Sequence, residues 1–140
     1  MTVERTLVLV KPDGVKRELI GEIINRFEKR SLKIIALKML VIKDGLAKKH
    51  YAEHLSKPFF PSLLDFITSA PSVALVLQGE NVISLVRKMM GATNYLNADP
   101  GTIRGDFAFS TTENIVHGSD SKEAANREIA LFFSDAELIG

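Results

Sequence analysis

Thr6-Leu7-Val8-Leu9-Val10-Lys11-Pro12-Asp13-Gly14 is a β-rich run closed by turn punctuation. The apolar, β-favouring residues read as a strand, and the proline and glycine read as the loop that ends it. Downstream, Leu19, Ile20, Ile23, Ile24 and Phe27 recur at helical spacing, with Glu22, Arg26, Lys29 and Arg30 outside the stripe. Leu32 to Ile42 reads as a second strand, closed by Lys43-Asp44-Gly45. The first third of the chain is therefore β-α-β.

Leu46 to Leu55 has helical character and stops at Lys57-Pro58, because a residue before proline avoids the helical region. Pro61 suits a first helical turn, and Leu63, Leu64, Phe66 and Ile67 continue helically. The two short helices predict a hairpin with Phe59 and Phe60 at its mouth. Val73 to Leu77 reads as a third strand, Gln78-Gly79 as a turn, and Asn81 as the cap of a helix with Val82, Leu85, Val86 and Met89 on one face. Ala92 to Glu113 has no period and reads as a long irregular loop. A fourth strand around Asn114 to His117 leads into a last helix with a capping-box pattern, Asp120 to Glu123. Two split βαβ units predict an α+β protein: a ferredoxin-like βαββαβ sandwich with a four-stranded antiparallel sheet, helices on one face and an inserted helical hairpin.

The 140 residues suit a single domain over 1–140. A formal net charge of +1 gives no bulk electrostatic signature, and no basic or acidic tail is present. With no cysteine, disulfides and thiolate metal sites are excluded and a reducing compartment is favoured. Neither an apolar leader nor a run of membrane-spanning length is seen, so the expectation is a cytoplasmic protein without a membrane partner.

The chemistry concentrates in Asn114-Ile115-Val116-His117-Gly118-Ser119-Asp120-Ser121. An isolated histidine is usually structural, but His117 stands at a strand-to-helix junction, the only one of three histidines to do so. Glu128 lies beside the apolar stripe of the last helix, sharing a face with Ala124, Ala125 and Phe132, and needs a buried partner. His117 and Ser119 are the nearest candidates. The helix start that follows the histidine favours an anion, which makes phosphate the expected group. A neutral imidazole can attack phosphorus directly, provided cations clamp the transferring group. Lys11, Arg87 and Arg104 are the candidates.

Other patterns carry less. His50 and His54 stand four residues apart on one helix, a metal-ligand spacing, but no third ligand is evident and position 51 is Tyr51, so a surface pair is the default. Arg104-Gly105-Asp106 spells an adhesion-like tripeptide that reads instead as a phosphate-binding arginine, a permissive glycine and a turn carboxylate. Lys11-Pro12-Asp13-Gly14 lacks the glycine spacing of a P-loop. An RNA-binding module of the same fold would need aromatics on its central strands, and Thr6 to Val10 and Val73 to Leu77 have none, so no nucleic-acid surface is expected. A nucleotide-binding protein without catalysis is disfavoured by the intact histidine, glutamate, lysine and arginines.

The stretch from Asn114 to Asp120 resembles the active-site signature of the nucleoside diphosphate kinases. The resemblance runs from Lys11-Pro12-Asp13-Gly14 through Tyr51, Lys57-Pro58-Phe59-Phe60 and Gly91-Ala92-Thr93-Asn94 to Pro100-Gly101-Thr102-Ile103-Arg104-Gly105-Asp106. It implies ping-pong transfer of a γ-phosphoryl group between nucleoside tri- and diphosphates through phosphorylated His117. It further implies that Lys11 and Asn114 contact ribose and phosphate, that Arg87, Thr93 and Arg104 hold phosphates, and that Tyr51 lies beside the γ-phosphate with His54 as a further contact. Glu128 with Ser119 would orient the imidazole, and Phe59 would stack on the base, giving broad specificity. Mg2+ would arrive on the nucleotide, with no dedicated protein metal site. Family members form hexamers or tetramers built from a common dimer, so a homo-oligomer is implied. One departure is Tyr95, where many members carry proline.

Overall fold

The computed structural model describes residues 3–140. Its sheet contains β1 (Val3–Val10), β2 (Lys33–Leu40), β3 (Ser72–Glu80) and β4 (Val116–Gly118). All neighbours are antiparallel, in the order β2-β3-β1-β4. The helices are α1 (Pro12–Lys16), α2 (Ile20–Lys29), α3 (Asp44–His50), α4 (Phe60–Ile67), α5 (Val82–Met90), α6 (Ile103–Phe107) and α7 (Lys122–Phe132). This is the expected ferredoxin-like interleaving, which puts β1 and β3 in the middle.

The central strands read as unbroken apolar runs because both faces of the sheet are covered. Val8, Val10, Val73, Leu75 and Leu77 pack with Ile23 and Phe27 of α2 and Val82 and Val86 of α5. Leu7, Leu9, Ala74 and Val76 pack instead with Ala47 of α3, Ile67 of α4, and Ile129 and Phe132 of α7. The expectation of helices on one face alone is corrected: the inserted hairpin and the last helix cover the second. Leu9 pairs across the ladder with His117. Directly paired residues share a face, so the imidazole is delivered to the side of α3 and α7.

Several boundaries differ from the sequence reading, each for a local reason. Lys11 to Gly14 is not a plain loop, because Pro12 opens α1, where its fixed φ suits a first helical residue. The helix expected over Leu46 to Leu55 ends at His50 and gives way to a 3-10 turn over Ala52–His54. Gln78 and Gly79 stay in β3, paired with Arg5 and Glu4 of β1. The reversal comes at Asn81, whose φ of 52° supplies it and whose side chain makes no cap bond. The irregular loop contains a 3-10 turn at Tyr95–Asn97 and α6. The last helix is capped by Ser121, whose hydroxyl accepts from the Ala124 amide at 3.1 Å, so Asp120 is not its cap.

Among the described residues no helix is long and apolar enough to cross a membrane. Gly105 allows α6 to close on the preceding loop, where Thr102 accepts from its amide at 2.9 Å. A Cβ at Gly105 would fall inside contact distance of the Asp99 carbonyl oxygen, which is backbone and cannot rotate away. Gly105→Ala is therefore expected to lower stability by ~3 kcal/mol, since overpacking here must move main chain. Urea midpoints of the two proteins measure it, and equal midpoints would refute the close approach.

Candidate active site

Between Asn114 and Val116 the chain turns on Ile115, a buried β-branched residue with φ of 77°. That conformation costs ~1–3 kcal/mol and persists only where neighbours over-determine it. Here the Ile115 amide donates to Asp13 Oδ2 at 3.0 Å, and its carbonyl accepts from the Lys11 amide at 2.8 Å. This turn delays the fourth strand to Val116, two residues after the expected start. Asn114 is left facing Lys11, and His117 enters the ladder.

Behind His117 stands Glu128, one helical turn from the C-terminal apolar residues of α7. His117 Nε2 lies 3.0 Å from Glu128 Oε1, and the Ser119 hydroxyl donates to the same oxygen at 2.6 Å. Ser119 Oγ in turn accepts from the Leu7 amide at 3.2 Å. Burial pushes the Glu128 carboxyl up, but the hydrogen bond and charge of His117 and the Ser119 hydroxyl outweigh it and hold the group at about 2. An ionised carboxylate can only accept, so Nε2 is the donor in this contact.

In front of His117 is a cavity of about 650 Å³. Lys11, Tyr51, His54, Phe59, Arg87, Thr93, Arg104 and Asn114 line it together with the imidazole. Lys11 Nζ donates to Asn114 Oδ1 at 2.7 Å and to the Thr112 carbonyl at 3.0 Å. Burial draws its ammonium down to about 8, with Arg104 adding repulsion and Asp13 and Glu113 opposing. Arg104, 4% exposed, donates to the carbonyls of Gly91, Asn114 and Val116 and so braces three segments at once. Burial and the nearby Arg87 lower its guanidinium to about 10. Arg87 is half-buried and donates to the Gly118 carbonyl at 3.2 Å. Thr93 is exposed, and its carbonyl accepts from Asn114 Nδ2. Burial, helped by Glu128, raises the Tyr51 phenol well above its ordinary value, so it stays protonated.

Only one member of the phenylalanine pair is at the mouth: Phe59 is 52% exposed, whereas Phe60 turns inward at the start of α4. The adhesion-like tripeptide is dismantled by burial of Arg104. Asp106 instead accepts from the Gly101 amide and from Arg26, as a turn carboxylate should. His50 and His54 are not a surface pair, because His50 is buried with its ring 4.6 Å from that of His117.

The structure thus gathers every residue singled out for the site, and adds Asp13 and His50. Asp13 was hidden in a sequence that reads as a turn. His50 was hidden by its spacing to His54, which draws attention to the wrong pairing.

The family model described as nucleoside diphosphate kinase matches residues 4–138. The chain belongs to the nucleoside diphosphate kinase family. It is 58% identical over 135 residues to the nucleoside diphosphate kinase of Methanosarcina mazei, covering 96% of this chain and 91% of that one. The enzyme of Methanothermobacter thermautotrophicus is 59% identical over 135 residues, covering 96% and 90%. Among solved structures, the halophilic nucleoside diphosphate kinase of Halobacterium salinarum, determined in complex with CDP, superimposes with a TM-score of 0.97. It is 50% identical, with 99% of this chain and 93% of that one covered. The family member from Babesia bovis gives a TM-score of 0.95 at 45% identity, covering 98% and 93%.

The Asp13 carboxylate is what keeps the Ile115 turn closed. Asp13→Ala should cost ~2 kcal/mol, because it leaves a buried amide without its partner. Asp13→Asn, which retains an acceptor oxygen, should cost less than half as much. Denaturant midpoints of both variants test the ordering, and equal losses would show that shape rather than the bond matters.

Proposed function

We propose that this nucleoside diphosphate kinase works by a ping-pong mechanism through a phosphohistidine on His117. The observation that carries the reading is the contact behind the ring: His117 Nε2 lies 3.0 Å from the Glu128 carboxylate, which leaves Nδ1 as the nitrogen to offer to the cationic cavity that His117 lines. Nδ1 attacks the γ-phosphorus of a nucleoside triphosphate, the Nδ1–P bond forms, and the bond to the diphosphate oxygen breaks. The diphosphate leaves with that electron pair. A terminal oxygen of a second nucleoside diphosphate then attacks the same phosphorus, returning the electron pair to Nδ1.

Arg87, Arg104, Thr93 and Lys11 are assigned to the phosphates, which is where charge stabilisation matters in this chemistry. Lys11 and Asn114, joined by their 2.7 Å bond, are assigned to ribose and phosphate oxygens. The protonated Tyr51 phenol is a donor for the transferring group, with His54 beside it. Glu128 and Ser119 are positioning residues. Phe59, exposed at the rim, is a stacking platform that accepts any base, which supports broad base specificity. The Halobacterium relative was solved in complex with CDP, a pyrimidine nucleotide, which supports this reading.

No carboxylate lines this cavity among the described residues. Its cationic and N–H donors do not make a hard-oxygen cage, so the fit is to Mg2+ carried by the nucleotide phosphates, where it would offset their charge. We also propose that the chain is a single-domain, cytoplasmic homo-oligomer. Leu37, Met39 and Val41, about half exposed along and just after edge strand β2, support burial against another copy.

ATP alone should leave a phosphoryl group on His117 that is labile to acid and stable to base, and GDP should remove it as GTP. His117→Ala should carry no label. Transferable label persisting in that variant would overturn the nucleophile assignment.

Lys11 sets a pH dependence. Its ammonium is charged below about 8 and loses its charge as pH rises through that value. A bound phosphate favours the charged form, so ADP affinity should be constant at lower pH and weaken above it, approaching ~tenfold per pH unit. Calorimetric titration measures this, and a flat affinity through that range would remove Lys11 from the phosphate site.

A further inference from the structure

His50 is a buried group at the site that the mechanism leaves without a task. It is 5% exposed, and neither ring nitrogen has a hydrogen-bond partner among the described residues. A buried imidazole in that state is costly unless something else satisfies it. Its Nδ1 lies 3.9 Å from Glu128 Oε2, while His117 Nε2 lies 3.0 Å from Oε1 of the same carboxylate. The potential ligand atoms of His50, His117 and Glu128 all fall within 4.8 Å of one another.

We propose that His50, His117 and Glu128 form a site for a zinc-class divalent ion, and that its occupation silences the nucleophile. Two imidazoles and a carboxylate are a zinc donor set, and tetrahedral bonding would put neighbouring donor atoms ~3.3 Å apart. Small side-chain rotations from the present spacing reach that arrangement. A cavity of about 230 Å³ bounded by all three residues, which shares His117, Tyr51 and His54 with the larger one, offers room for a water as fourth ligand. Mg2+ prefers oxygen ligands and does not compete here.

The silencing follows from the ring proton. Nε2 can bind the metal only by giving up its proton, and a neutral imidazole metallated at Nε2 carries its remaining proton on Nδ1. The lone pair needed to attack phosphorus is then gone. The metal also takes the carboxylate that held the active tautomer. Arg127 opposes the metal, since its Nη2 lies 3.7 Å from Glu128 Oε2, but it is exposed and can swing aside.

The chelator-stripped chain, without nucleotide, is titrated with Co2+ and followed by visible absorption, with Zn2+ as competitor. One equivalent should give the intense bands of tetrahedral cobalt, which Zn2+ bleaches. His50→Gln should weaken binding at least tenfold and His54→Ala should not. Only the pale octahedral spectrum, or tetrahedral bands with undiminished affinity in His50→Gln, would overturn the site. Should His50→Gln fail to fold, Arg127→Gln decides: removal of the opposing charge should tighten binding several-fold, and unchanged affinity counts against the site. The silencing rests on the phosphohistidine reading, and labelling with Mg2+-ATP in zinc-free buffer tests that reading separately. Given a label in zinc-free Mg2+ buffer, stoichiometric Zn2+ should abolish it and a zinc-selective chelator restore it. A label untouched by bound Zn2+ would overturn the silencing.

Discussion

The hydrogen bond from the Ile115 amide to the Asp13 carboxylate ties the turn after the first strand to the approach of the last. With the Lys11 amide bond to the Ile115 carbonyl, it holds a β-branched residue in the left-handed region, against the extended run from Asn114 that such a residue favours. In an extended chain successive side chains alternate faces. The displaced register would move His117 off the face that holds Glu128, and Asn114 away from Lys11. Backbone strain at one buried residue is therefore what allows a short edge strand to present neighbouring side chains to both a substrate cavity and a supporting helix.

Electrostatics on the two sides of His117 run in opposite directions. In front, Lys11 and Arg104 are partly or wholly removed from water and lie below their ordinary values. Their hydration has already been given up, so an arriving polyphosphate meets cations with little water to displace, and the interaction is stronger than on an open surface. Behind, Glu128 is buried yet ionised, because Ser119 and His117 supply the hydrogen bonds that water would have made. Arg104 shows how fold and site are joined. Its three carbonyl acceptors belong to the ends of α5 and β4 and to the segment before β4, so the residue facing the cavity also fixes the cavity's walls.

What the sequence made legible was whatever depends on short-range pattern. Strand and helix order follows from the apolar runs and stripes, and the split βαβ arrangement follows from that order. His117, Glu128 and the cations stand out because their residue types do not suit the apolar neighbours beside them. The missed features depend on contacts between distant positions. Nothing near Asp13 reveals that its oxygen will meet an amide of residue 115. Coverage of the second sheet face was equally invisible, since only the folded chain shows α3, α4 and α7 meeting over Leu7 and Leu9. His50 was misread for the same reason: spacing along a helix pointed to His54, whereas packing brought in His117.

In the proposed nucleophilic role, His117 must be neutral, oriented, and protonated on the nitrogen away from its substrate. Anionic Glu128 meets the last two requirements through one bond. His50 bears on that bond from the other side of the carboxylate. Burial and the neighbouring His117 draw it down to about 3 against the pull of Glu128, so it adds no charge and takes no proton from the carboxylate. A lysine or arginine in its place would compete with His117 for Glu128. A buried hydrocarbon would fill the volume without a polar atom. A neutral imidazole fills it while leaving the Glu128–His117 bond uncontested, and its unpartnered nitrogens are the residual cost of that arrangement.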